Sequence, residues 1–117
     1  MSESFIDTLR HNLTVYPFSK IEIEILIALF QQKQVKSHEL RASPILKKSG
    51  PLLYRALNRL KKDHWIECVS EKPKVYSLVS KEAFQKNLDA IILESQNKFT
   101  EQKNRFYQII ETLKAVS

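Results

Sequence analysis

The chain has 117 residues, which is room for one domain with one hydrophobic core. Hydrophobic residues make up 43% of it and charged residues 27%, a composition that excludes a disordered chain and is typical of a globular protein. The net charge is +6, and residues 47–62 hold six basic side chains and no acidic one, a local charge that is suited to a polyanionic partner.

Two helices are predicted before residue 33. The first covers residues 4–13, with Ser4 as its N-cap, because four apolar side chains recur there at helical spacing. Those side chains are Phe5, Ile6, Leu9 and Leu13. Ser19 stands three residues before Glu22, which is the spacing of a capping box, and predicts a second helix over about residues 20–32.

Two further helices are predicted between residues 37 and 63. Ser37 as a cap and Leu40 as a core residue indicate a brief helix over residues 37–42, which Pro44 ends because proline clashes with the preceding turn. A polar connection follows. The run Ser49-Gly50-Pro51 then predicts the start of a helix to about residue 63, with Ser49 as the cap and proline in the first turn.

The pattern changes at Trp65 to one that is typical of strands. Two β-prone runs, residues 65–69 and 75–79, flank a charged segment over residues 70–74, and together they predict a hairpin. Pro73 belongs in its turn, because proline cannot donate to a sheet ladder. Ser80 then caps a helix that is predicted to run to the end of the chain.

The last helix carries an apolar stripe at heptad spacing. A helix of roughly 36 residues would be about 54 Å long, so its stripe needs a partner to cover it. We expect a homodimer, with Phe5 and Leu9 also contributing to its interface. The stripe consists of Leu88, Ile92, Phe99, Phe106, Ile109, Leu113 and Val116, interrupted by Ser95 and Gln102, which would set register.

These elements predict a fold that is mainly α with a small β-hairpin. Their order indicates a winged helix-turn-helix followed by a long C-terminal dimerisation helix. The expected organisation is an N-terminal helix over residues 1–16, a DNA-binding domain over residues 17–79 and a coiled-coil-like helix over residues 80–117.

The helix after Gly50 has one apolar face and one basic face. Arg55, Arg59 and Lys62 recur at spacings of four and three, and an arginine fork can bridge guanine O6 and N7 or clamp a phosphate. A solvated helix face is the alternative explanation of the charge alone. The residues predicted to contact double-stranded DNA are Lys47, Lys48, Ser49, Leu52, Arg55, Asn58, Arg59, Lys62, Lys72 and Lys74.

The stretch from Ser19 to Leu78 resembles the DNA-binding domain of TrmB-like regulators. The likeness lies in Leu53-Tyr54-Arg55-Ala56-Leu57-Asn58-Arg59-Leu60, in Trp65-Ile66-Glu67 and in Lys72-Pro73-Lys74-Val75-Tyr76. PadR-like regulators share much of this pattern. The resemblance implies a transcriptional regulator whose wing leads through a capped turn, Val79 to Phe84, into a coiled-coil helix. His64 stands where these families usually carry glycine, and no small-molecule effector is implied.

Other classes of function have weaker support in the sequence. The histidines and Cys68 are not at metal-ligand spacing, and no catalytic setting or cofactor motif is present, so we expect no metal, no cofactor and no enzyme. A single cysteine and the absence of a long apolar run predict a cytoplasmic protein with no membrane partner. The main alternative is a winged-helix interaction subunit whose long helix pairs with a different protein. RNA binding is a weaker one, since it would need exposed aromatic platforms.

Overall fold

The computed structural model describes residues 3–116 and is mainly helical, with one small sheet. The chain divides into two compact units, of which the first ends at Phe84 and the second begins at Gln85. The helices are α1 (Glu3–Leu13), α2 (Lys20–Gln31), α3 (Ser37–Leu40), α4 (Pro44–Lys47), α5 (Pro51–Lys62) and α6 (Lys81–Val116). The strands are β1 (Val35–Lys36), β2 (Ile66–Glu71) and β3 (Lys74–Leu78).

The sheet has three antiparallel strands in the order β1-β3-β2. The predicted hairpin is confirmed as β2 and β3, and Pro73 lies in its turn. The expectation of a hairpin alone is wrong, because Val35 and Lys36 add a third strand that pairs with Tyr76 and Val75. A strand of two residues is too short to show the alternation from which strands are predicted.

The core is built around α2, which packs against α1, α4, α5 and β3. A helix that is apolar on most sides is buried on most sides, and Ile23 and Ile27 are buried here together with Ile25, Leu26 and Leu29. The fully buried large side chains of this unit are Ile25, Leu26, Leu40, Leu46, Leu53, Leu57, Leu60 and Ile66.

The helix caps agree with the sequence at two positions. The Ser19 hydroxyl accepts the backbone N–H of Glu22, and the Glu22 carboxylate accepts the N–H of Ser19, so the predicted capping box at α2 is confirmed. The Ser80 hydroxyl accepts the N–H of Ala83 at 3.2 Å, as expected for the start of α6.

Two other predicted helix starts and one predicted connection are corrected by the structure. Ser4 lies inside α1, and Ser37 is the first residue of α3, whose N-cap is Lys36. The expected polar connection after Pro44 is the one-turn helix α4, which Pro44 begins and in which Leu46 is buried. Proline suits the first helical position because its fixed φ is already helical and no N–H is needed there.

An aromatic cluster closes the core at the start of β2. The ring of Trp65 lies 5.0 Å from that of Phe18 and 5.0 Å from that of Phe84, and Phe84 also packs on Phe30 at 5.6 Å. Trp65 is buried, so it is a core residue and its ring is not available to stack on a base. The first turn of α6 therefore belongs to the packing of the first unit.

Both ends of α5 are set by left-handed backbone. Among residues 3–116 only Gly50 and His64 have positive φ, at 53° and 64°. Gly50 and not Ser49 is the N-cap of α5, with ψ −129°, and the N–H of Leu52 donates to the Ser49 carbonyl across it. These dihedral angles are those of the second position of a type II′ turn, which is a glycine position.

The other end of α5 has the hydrogen bonds of a Schellman motif. The N–H of Trp65 donates to the Leu60 carbonyl at 2.9 Å, and the N–H of His64 donates to the Lys61 carbonyl at 3.1 Å. His64 occupies the position that usually takes glycine. The sharp turn into β2 is thus made without the glycine that the resembling families carry.

We expect His64→Gly to raise the free energy of unfolding by about 1 kcal/mol. A side chain in the left-handed region costs about 1–2 kcal/mol, which exceeds the entropy that glycine adds to the unfolded chain. Thermal and urea unfolding measure the gain. His64→Ala is the matched control, since it removes the imidazole but keeps the Cβ, and a gain for His64→Ala equal to that for His64→Gly would contradict the backbone explanation.

Candidate nucleic-acid interface

The face of α5 that turns away from the core carries only basic charge. Leu53, Ala56, Leu57 and Leu60 are buried, as their spacing predicts, and every other residue of the helix is exposed. Among the exposed residues, the charged ones are Arg55, Arg59, Lys61 and Lys62, to which we refer as the cationic face. The predicted contacts Leu52 and Asn58 are also exposed on this helix.

The segment before α5 contributes two of its three predicted phosphate contacts. Lys47 ends α4 and Lys48 follows it as the C-cap, and both are exposed. Ser49 is instead buried, and its hydroxyl donates to the Ile45 carbonyl at 2.9 Å. The hydroxyl is therefore engaged in holding the α4 turn, and the two lysines are the available cations here.

Arg59 has an acidic partner that its own helix does not reveal. Its Nε lies 3.7 Å from Oε2 of Glu22, whose side chain is only 3% exposed, whereas that of Arg59 is 61% exposed. The carboxylate of Glu22 is thus shared between the α2 cap and Arg59. Water and salt screen the attraction to a buried charge less than the attraction to a charge at the surface. Glu22 therefore draws the Arg59 guanidinium toward the start of α2.

Arg41 is a basic residue of this region that the sequence analysis missed. It is exposed at the end of α3, and its Nη2 donates to the Tyr54 hydroxyl of α5 at 2.9 Å. Its guanidinium carbon also lies 5.3 Å from the centroid of the Tyr54 ring, a cation–π distance. The contact adds a cation beside α5 from outside residues 47–62.

The β2–β3 hairpin is less basic in the structure than its lysines suggest. Lys72 and Lys74 are exposed at its tip, as expected for phosphate contacts. Glu71 pairs directly with Lys74 across the strands, so an opposite charge lies next to one of the two lysines. Lys72, in the turn, is the lysine of the tip without a cross-strand acid opposite it in the ladder.

A second candidate surface lies on α6. The predicted stripe residues Ile92, Phe99, Phe106, Ile109 and Leu113 are exposed, with Phe99 at 66%, and Leu88 is half-buried. Phe5 is exposed and Leu9 half-buried on α1. The side chain of Val116 lies outside the described residues. We refer to Leu88, Ile92, Ser95, Phe99, Gln102, Phe106, Ile109 and Leu113 as the α6 seam.

Three other features, a cluster of metal ligands, a paired thiol and a membrane-spanning helix, are absent from the described part of the chain. No three His, Cys, Asp or Glu side chains come together there in a way that could hold a metal ion. Cys68 is a half-buried thiol on β2 whose Sγ lies 3.0 Å from the Ser70 carbonyl oxygen. Among residues 3–116, no helix is both long and apolar enough to cross a membrane.

Comparison with known proteins finds no match: no family model, no curated protein and no solved structure matches this chain. The features of this chain that bear on its function are therefore its fold, the cationic face and the α6 seam.

Proposed function

We propose that this protein is a transcriptional regulator that binds specific sites in double-stranded DNA as a homodimer, through a winged helix-turn-helix. The element order α2, β1, α3, α4, α5, β2, β3 with sheet order β1-β3-β2 supports this fold. In that arrangement α5 is the recognition helix, and the β2–β3 hairpin is the wing.

The observation that carries the proposal is the cationic face itself. Four cations and no acid lie on the exposed side of α5, and Lys47 and Lys48 precede its N-terminus. A helix that enters the major groove passes between two phosphate backbones, and each neutralised phosphate releases counterions. Arg59, Lys61 and Lys62 lie in the last turn of α5, where the helix dipole also favours cations, but the dipole does not account for Arg55 or for the two lysines before the helix.

The residues have different roles in this proposal. Arg55 and Arg59 contact base edges or phosphates, and Asn58 between them suits adenine, because an amide can bond adenine N6 and N7 together. Lys47, Lys48 and Lys62 neutralise phosphates, as does Lys72 at the wing. A cytoplasmic location belongs to the same proposal, since a regulator meets DNA there and Cys68 has no second cysteine to pair with.

The likeness to TrmB-like regulators supports this proposal on one point, and the departure from that likeness at His64 does not weigh against the proposal. The wing leads through residues 79–84 into a long helix, as the resemblance implies. The departure at His64 does not alter the turn, because His64 adopts the φ that glycine would provide.

The proposal is tested by a mobility shift with random duplex DNA. We expect Arg55→Ala plus Arg59→Ala to weaken binding by at least about tenfold, and to lower the slope of log K against log salt by about 2 if both contact phosphates. The matched control is Lys33→Ala plus Lys86→Ala, which removes the same charge from exposed positions outside the interface. Equal binding by the wild type and the arginine variant would show that α5 is not the recognition helix.

Folding must be followed in the same experiment because Arg59 contacts Glu22. Arg55→Ala alone provides the cleaner comparison, since Arg55 is exposed and its loss should change stability by less than about 0.5 kcal/mol. Thermal melts of all variants separate lost DNA contacts from lost structure.

A winged-helix interaction subunit is the second candidate, and the exposed α6 seam favours it. An apolar stripe of this length could bind a helix of another protein as well as a second copy. Salt separates the two functions: DNA binding weakens steeply as salt rises, whereas an apolar contact scarcely responds.

A further inference from the structure

The α6 seam alternates bulky and small or polar side chains in a definite order. Leu88, Ile92, Phe99 and Phe106 share it with Ser95 and Gln102. Both polar residues are exposed, Ser95 between Ile92 and Phe99 and Gln102 between Phe99 and Phe106. A partner that packs well must place small groups opposite the phenylalanines and aliphatic groups opposite the aliphatic ends. The direction in which a second helix runs decides whether a copy of this chain can do so.

We propose that the seam is covered by the same seam of a second copy running in the opposite direction, with Ile92 of one protomer facing Ile109 of its partner. This inference rests on the homodimer of the proposed function and adds its direction and register. In this register Leu88 faces Leu113 of the partner, so both ends of the interface are aliphatic. Each phenylalanine meets a smaller or polar residue: Phe99 faces Gln102, and Phe106 faces Ser95.

The parallel arrangement lacks this complementarity. Two copies side by side in the same direction place each residue against its own copy, so that Phe99 meets Phe99, Phe106 meets Phe106, and Ser95 meets Ser95. Aromatic layers would then be overfilled and the serine layer underfilled, and both faults cost packing energy. The size pattern of the seam therefore favours the antiparallel direction.

A charged row along one flank of the seam favours the same direction. It alternates in sign through Glu94, Lys98, Glu101 and Arg105, with Lys98 paired to Glu94 at 3.3 Å and Arg105 to Glu101 at 2.6 Å. A reversed copy presents the opposite signs, so Glu94 comes beside Arg105 of the partner and Lys98 beside Glu101. This alignment is within two residues of the one that seats Ile92 against Ile109.

In the parallel direction the charged row would face the other flank of the seam. That flank carries Asp89, Gln96, Lys103 and Ile110. In the parallel direction Lys98 would meet Lys103 of the partner and Arg105 would meet Ile110, so Asp89 would face neither cation. Like charges at such flanking positions work against the pairing that brings them together. Charge and side-chain size thus select one direction for the same pair of helices.

The test is disulfide trapping of co-expressed single-cysteine variants in full-length chains that carry Cys68→Ser. One chain has Leu88→Cys and the other, distinguished by a tag, has Leu113→Cys. We expect oxidation to give a mixed disulfide between the two variants, because facing seam positions come within disulfide range. Self-linked Leu88→Cys and self-linked Leu113→Cys would show parallel pairing and overturn the proposal. Asn97→Cys, which lies away from the seam, is the control and should link to neither.

Sedimentation of the unmodified protein tests whether a second copy is the occupant at all. A dimer at micromolar concentration is expected, and a monomer under those conditions would overturn the proposal. Neither measurement contains DNA, so failure of the pairing and failure of the proposed function can be told apart. If the antiparallel dimer is trapped but binds no duplex DNA, only the proposed function is overturned. If the protein is a monomer that binds duplex DNA, only the proposed pairing is overturned.

Discussion

Replacing Gly50 by alanine is expected to lower the free energy of unfolding by about 1–3 kcal/mol. The residue has φ 53° and ψ −129°, a conformation that side chains of L-residues rarely adopt. Apart from its two chain neighbours, no residue in the described part of the chain has a heavy atom within 4 Å of the position that a Cβ would take, so the cost comes from the backbone and not from a clash. Thermal unfolding should show a lowered midpoint, and because Gly50 precedes α5 directly, DNA affinity should fall with it.

D-alanine at position 50 is the matched control for this prediction. A D-residue favours positive φ and carries the same methyl group, so it should restore most of the stability that L-alanine removes. Cys68 permits native chemical ligation, so a synthetic peptide of residues 1–67 with either alanine can be joined to residues 68–117. Equal destabilisation by D- and L-alanine would contradict the backbone explanation.

Charged residues introduced into the α6 seam are expected to abolish the proposed dimer. Phe99→Glu plus Phe106→Glu removes two exposed aromatic side chains from each protomer and would bury acidic groups in their place. Full burial of one such side chain is worth about 1.5–3 kcal/mol, and four of them are lost from the dimer. Since Phe99 is 66% and Phe106 57% exposed before pairing, the loss should be at least about 4 kcal/mol, which is roughly a thousandfold in Kd. Analytical ultracentrifugation over a range of concentrations measures the change.

Asn97→Glu plus Asn104→Glu is the control for net charge. Both residues are exposed on the side of α6 away from the seam, and two added acids there should leave the dimer intact. If the control dissociates as readily as the seam variant, general repulsion and not the seam explains the result. The seam variant should keep its helical content, because both substitutions replace residues with glutamate, a good helix former.

The sequence predicts the larger elements of the fold because each depends on local pattern. The apolar spacing of α5 gave its buried face, and the Ser19 to Glu22 spacing gave the start of α2. The missed elements are β1 and α4, which contain two and four residues. Elements this short are set by what they pair with or pack against, as Val35 pairs with Tyr76, and no periodicity can develop over their length.

The sequence predicts where the basic residues of the candidate interface concentrate, but it does not predict which side chains they contact. An acid-free run shows where cations concentrate, but the partner of Arg59 is Glu22 on another helix, and the partner of Tyr54 is Arg41. Such contacts depend on tertiary packing, which one sequence does not display. Ser49 shows the reverse case: its position beside two lysines suggested a phosphate contact, whereas packing of α4 buries it.

The two left-handed residues at the ends of α5 have an evolutionary consequence. Gly50 and His64 fix where the helix begins and ends through backbone geometry, so no exposed side chain of the helix has to act as a cap. The outward residues can then be exchanged without shifting the register of the four buried ones. Under the proposed function, a new DNA target could thus be acquired by point mutations in one helix, while the rest of the fold stays as it is.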